Sequence, residues 1–213
     1  MDKNKCSSIT DKIKQNNLED ITYKEQYERY LTGKMRSNEF INAGSNPNVI
    51  IALHHFGINS RAKIIKLNQS DLKNALSIAG KRTKKHTDGH SIPPEELYNL
   101  SKELRVPIMV LKGHIKNPDS IVLITEMKSA EGNNVFVPIS LNRENGEVNR
   151  ITTIFSKKNI INYIQNNINN ILAINIKKAD KLLTDKEFQS LKSSVICFDD
   201  SIAYTLDNVN YPF

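Results

Sequence analysis

Cysteine is nearly missing from this chain. The two that occur, Cys6 and Cys197, stand near opposite ends, one in a polar segment and one in an apolar run. Neither a disulfide framework nor a CxxC metal site is available to such a pair, which fits a reducing compartment. Glycine and proline are also sparse, eight and seven in 213 residues, which excludes collagenous and low-complexity chains. No apolar run approaches the length of a membrane-spanning helix, and the opening MDKNKCSSITDK lacks the apolar stretch of a signal peptide. A soluble chain outside the general secretory route is expected, with no membrane partner. No repeat recurs at a fixed period.

What is present describes a packed domain. Apolar residues make up 38% and charged residues 25%, enough for a core, and the length suits one ordinary domain or one domain with a long arm. Lys and Arg number 30 against 23 Asp and Glu, a net charge of +7 that draws an anionic partner. A Lys- and Asn-rich composition produces such a balance by itself, so the position of the charges has to decide.

Residues 1–43 read as a polar, partly helical arm or linker. Its helical stretch, 23–31, carries a narrow apolar stripe of Tyr27, Tyr30 and Leu31. That is too little apolar surface to fold alone, so the arm is expected to pack on the domain, bind another chain or stay mobile. The domain, 44–213, opens with a helix punctuated by Ser45 or Asn46 as cap, Pro47 in the first turn and Gly57 beyond the end, with Val49, Ile50, Leu53 and Phe56 on one face. A strand over 62–67, a helix over 70–80 and a helix from Pro93 to about Leu104 follow. After Pro107 the period turns extended, and four runs, 108–112, 120–127, 135–141 and 148–155, are separated by turn text. A helix over 159–169 and apolar runs at 171–176 and 195–198 close the chain. Helices first and a sheet afterwards predict an α+β fold, with N-terminal helices packed on one face of an antiparallel meander sheet of four strands or more.

Two clusters carry chemistry. Of the five histidines, His54 and His55 sit at a helix carboxyl end, where the dipole explains them, and His114 follows Gly113 at a strand end. His86 and His90 differ, because they share a loop with Lys84, Lys85 and Asp88. Their spacing would suit a metal on a helix, but Asp88-Gly89 argues against helix and no third ligand is spaced to help, so neither metal nor cofactor is expected. Cleaving RNA by transesterification needs a base for the 2′-hydroxyl, an acid for the departing oxygen and cations for the charge on phosphorus. Histidine serves as either acid or base near neutral pH, and Arg grips phosphate with two parallel bonds. The second cluster spans 149–158. Strand alternation sends Arg150, Thr152, Ile154 and Ser156 one way and Ile151, Thr153, Phe155 and Lys157 the other, which parts the two threonines. An ordinary strand edge with solvated basic ends has the same pattern.

The run His86-Thr-Asp-Gly-His90-Ser-Ile-Pro-Pro-Glu-Glu-Leu97-Tyr-Asn-Leu100, then Leu104-Arg-Val-Pro107-Ile-Met-Val, then Val122-Leu-Ile-Thr-Glu126, then Val148-Asn-Arg-Ile-Thr-Thr-Ile-Phe155, resembles the C-terminal domain of phage MuF-type head-morphogenesis proteins. These are phage-encoded polymorphic toxin modules placed with the barnase, EndoU, colicin and RelE-like nucleases, and the resemblance covers about 41–197. It implies a helix-then-meander nuclease fold, metal-independent endoribonuclease activity, bacterial cells as targets and a neutralising immunity protein. It also places His90 with His86 in the histidine-containing motif, and Thr153 with Phe155 where the family shows a Ser or Thr beside an aromatic.

The combined expectation is a toxin in which His90 and His86 share the acid and base roles. Arg150 and Lys85 then stabilise the phosphate, Thr153 orients it, and Lys84, Lys157 and Thr152 bind substrate. It would act in the cytoplasm of a target or host bacterium, delivered by a larger phage protein. The competing expectation is a non-catalytic module that binds RNA or a host protein on the same fold. A third is action on a different phosphodiester or nucleotide.

Overall fold

The computed structural model describes residues 3–58, 60, 64–76, 90–113, 119–184, 186 and 195–198. Its first element, helix α1 (Lys3–Leu31), is followed by β1 (Phe40–Asn42), α2 (Pro47–His55), β2 (Ile64–Asn68) and α3 (Gln69–Leu76). Then come α4 (Pro94–Leu97), α5 (Leu100–Arg105), β3 (Met109–Lys112), β4 (Ser120–Lys128), β5 (Asn134–Asn142), α6 (Arg143–Gly146), β6 (Val148–Ile151) and β7 (Phe155–Ser156). Helix α7 (Ile160–Asn166), β8 (Ile171–Asn175), α8 (Ile176–Ala179) and β9 (Ile196–Phe198) complete it. The strands form one nine-stranded sheet in the order β1-β2-β6-β5-β4-β3-β8-β9, with β7 also on β5. The pairs β2/β6 and β8/β9 are parallel and the others antiparallel. The α+β class and the meander β3-β4-β5-β6 therefore stand as read, inside a larger sheet.

Alternation gives the sheet two distinct faces. Ile41, Ile65, Leu67, Val110, Ile121, Leu123, Val137, Ile139 and Ile151 bury against the N-terminal helices, through Tyr23 and Tyr27 of α1, Leu53 of α2, Leu72 of α3 and Leu97, Leu100 and Leu104 of α4–α5. On the opposite face Met109, Leu111, Ile124, Phe136, Ile171 and Ile174 pack with Ile164 of α7 and Ala179 of α8. Helices thus cover both faces, where the sequence order had placed them on one.

The segment read as an arm is docked. Tyr23 donates its hydroxyl to the Leu97 carbonyl at 2.6 Å, Tyr27 to the Pro94 carbonyl at 3.1 Å, and the Gln26 amide oxygen accepts from the Asn42 N–H at 2.7 Å on the edge strand. Arg105 pairs with Asp20 and lies 3.7 Å from Glu19. Tyr23, not Leu31, completes the apolar stripe; Leu31 is 48% exposed. Asn46 caps α2 as expected, its side-chain oxygen accepting from the Val49 N–H at 3.0 Å, while Phe56 turns outward. The single helix read after Pro93 is two, α4 and α5, parted by a turn at Tyr98 and Asn99.

The fourth meander strand is also two pieces, and this matters for the site. Ile139 pairs with Ile151, whereas Phe136 pairs with Phe155. Three steps along β5 match four along β6–β7, so one extra residue is inserted opposite Pro138, which has no N–H to give the ladder. The Thr152 N–H donates to the Pro138 carbonyl at 3.0 Å. The bulge reverses the alternation beyond it. Ile151 and Ile154 both join the helix-covered core, while Phe155 packs into the other cluster. The expectation that Ile151 and Phe155 share a face, with Ile154 opposite, is thereby corrected.

Candidate functional site

His90 is held where three elements meet. The Ile92 N–H donates to the Ala75 carbonyl at 3.0 Å, tying the segment to the end of α3, and the Ser91 carbonyl accepts from the Ala130 N–H at 2.8 Å in the β4–β5 turn. Ser91 takes φ +37°, a left-handed conformation that a non-glycine residue adopts at an energetic cost. The half-buried imidazole lies against Phe155, with ring centroids 5.8 Å apart at 50°. His90 and the end of the late ribbon, far apart in sequence, therefore meet.

Phe155 begins an aromatic series. It stacks on Phe136 at 5.5 Å, and Phe136 meets Tyr163 of α7 edge-on at 4.9 Å. Lys157 stands over this series, its Nζ 4.3 Å from the Tyr163 ring centroid and 6.0 Å from that of Phe155. Its backbone N–H is fixed by the Asn134 carbonyl at 3.3 Å. Burial raises the Tyr163 phenol above its ordinary pKa, so at neutral pH it keeps its proton and acts as a hydrogen-bond donor.

The expected site residues separate into three groups. His90 and Lys157 both neighbour one ring, that of Phe155. Thr152 and Thr153 lie in the bulge just before it, Thr152 exposed with its hydroxyl 3.4 Å from the Pro138 carbonyl and Thr153 half-buried. Arg150 stands farther off. It pairs with Ser140 while Phe155 pairs with Phe136, a separation of four β5 residues, or roughly 13 Å at about 3.3 Å per residue. His86, Lys85 and Lys84 lie outside the described residues, as does His114. His54, at the carboxyl end of α2, places Nε2 3.2 Å from the Ser60 carbonyl.

Sequence reasoning missed Tyr163. It is the aromatic of α7, on the helical face shared with Ile160 and Ile164, and that spacing was the available signal. It adds a phenol to the series, on the side of Phe136 that it meets edge-on. Among the described residues no group of three or more His, Cys, Asp or Glu is placed to hold a metal ion. No helix among them is long and apolar enough to cross a membrane.

Residues 81–181 match the family model of the phage MuF-C-terminal domain. The match runs from the basic loop through His90, the meander, the aromatic series and α8. No curated protein and no solved structure matches the chain.

Proposed function

We propose that this protein is a phage-encoded toxin that cleaves RNA without a metal, at a site centred on His90. The observation that carries the reading is that an imidazole and an ammonium group from separate segments share one neighbour, the His90 ring centroid 5.8 Å and the Lys157 Nζ 6.0 Å from the centroid of Phe155. Acid–base chemistry on a phosphodiester needs that combination. His90 moves the proton at the 2′-hydroxyl or the departing oxygen, with His86 as its partner. Lys157 and Lys85 meet the charge on phosphorus, the Tyr163 phenol donates to a phosphate oxygen, and Thr152 and Thr153 orient the strand. Arg150 is better assigned to a neighbouring phosphate than to the one being cut. A cognate immunity protein and a larger delivery protein are the partners, and the cytoplasm of a bacterium the place of action.

The test is incubation of the purified protein with total cellular RNA in excess chelator, with His90→Ala, His86→Ala and Tyr163→Phe alongside. Cleavage reduced about 100-fold or more by His90→Ala is expected, in the range that a lost general acid or base costs. RNA left intact by the parent protein, or cut equally by His90→Ala, overturns the reading. Growth inhibition that survives loss of both histidines would favour occupancy of RNA or a host protein without cutting.

A further inference from the structure

The face of the sheet opposite the N-terminal helices is apolar where α7 and α8 cover it, and beyond them it mixes the exposed Phe40 and Ile64 with polar side chains. There the registers align a single row across five strands. Asn42 is opposite Lys66, Lys66 opposite Arg150, Arg150 opposite Ser140 and Ser140 opposite Ser120. Each is flanked in its own strand by a residue of the helix-covered core (Ile41, Ile65, Ile151, Ile139 and Ile121), so all five project the other way.

Such a row is costly to build without a use. Lys66 and Arg150 are like charges facing each other on adjacent strands, which weakens pairing. Their countercharges come from outside the sheet. Glu144 of α6 meets Lys66 at 2.5 Å, and, against the larger rise in pKa that burial causes, Arg150 draws the Asp71 carboxyl of α3 downward. A third cation is fixed over the row, Arg143, whose Nε donates to the Ser140 hydroxyl at 2.8 Å. Arg150 and Arg143 are exposed and form no ion pair among the described residues. Beside them the Phe40 ring is 41% exposed, with the Lys66 Nζ 4.3 Å from its centroid.

We propose that Lys66, Arg150 and Arg143 form a binding track for the phosphate backbone of single-stranded RNA, with Phe40 as a platform for one base. The track rests on the RNA reading above and extends it. Because the bulge returns Phe155 to the face that carries Arg150, the track and the His90 site lie on one side of β5, a few nucleotides apart. Arg forks grip phosphates, and an open aromatic beside a basic row suits an unpaired strand, whose bases are free to stack. An acidic protein would find the charges but have no use for the ring.

The test is anisotropy of a labelled, single-stranded 2′-O-methyl RNA, which transesterification cannot cut, titrated with the full chain over a series of salt concentrations. The double variant Lys66→Gln/Arg150→Gln is expected to weaken binding severalfold and to lower the slope of log K against log salt by about 0.7 for each cation removed. Arg150→Lys should retain the slope, and Phe40→Ala should lose affinity at unchanged slope. Parental affinity and slope in the double variant would overturn the track, as would equal losses on duplex RNA. Equal losses on single-stranded DNA of the same sequence would leave the track standing and place its preference in the backbone alone. If the parent cuts no RNA yet binds it through these residues, the ribonuclease reading falls and the track remains.

Discussion

At the scale of single residues, the tyrosines of α1 show how a few polar groups fix an apolar contact. Tyr23 and Tyr27 stack at 5.9 Å with rings 9° apart, both buried, each donating to a backbone carbonyl of the α4–α5 region. Burial raises both phenols well above their ordinary pKa, with repulsion from Tyr27 adding to the rise at Tyr23 and repulsion from Tyr30 and Glu95 adding to that at Tyr27. The folded state thus favours the neutral phenol. Its contribution is fully present below about pH 10, the unfolded value, and is lost as pH rises beyond it. Tyr23→Phe is expected to cost about 1 kcal/mol at pH 7, by stranding the Leu97 carbonyl, and to flatten the decline in stability above about pH 10. Urea unfolding followed at both pH values measures the two effects. Gly113 is a second sensitive point, since a Cβ there would lie 1.9 Å from the Ser120 hydroxyl and 2.5 Å from its carbonyl oxygen. Gly113→Ala should lose about 1–3 kcal/mol, read as a lower midpoint of thermal unfolding. Of the site residues, His90 was legible because it sits in a basic loop, whereas Tyr163 was hidden in a helix whose isoleucines account for its pattern equally well.

At the scale of elements, legibility followed locality. The Asn46 cap and the hairpins of β3-β4-β5 are written in adjacent residues, and the sequence reading of them holds. The division of the helix after Pro93 was not, because the turn at Tyr98 is held by tertiary contacts, with the Tyr98 hydroxyl 3.2 Å from Glu28 of α1. The docking of α1 likewise depends on Arg105, whose side chain is 8% exposed and answers two carboxylates. Arg105→Ala leaves those carboxylates poorly solvated and unpaired, a loss of about 3–5 kcal/mol for a buried pair. Limited proteolysis should then release α1 earlier than the strands, while Arg105→Lys should delay it. Loss of all elements at once would show instead that α1 and the sheet unfold as one unit.

At the scale of the whole molecule, the parallel pairings β2/β6 and β8/β9 were beyond sequence reading, since each joins segments that no local turn connects. They attach β1, β2 and β9 to a legible meander, while β8 joins it through an antiparallel pairing with β3. They also set the energetic landscape: central β4 and β5 share six registered pairs, whereas β7 contributes two to its partner. Hydrogen exchange should accordingly be slowest in β4 and β5 and fastest in β7, next to the candidate site. The single supernumerary residue at Thr152–Thr153 acts there as a parity switch. Deleting one amino acid between Ile151 and Phe155 would remove the bulge and leave the phenyl ring opposite Phe136 on its present face, beside the imidazole. Excising two would invert inside and outside for everything downstream on the ribbon, so odd and even length changes in this stretch should have opposite phenotypes.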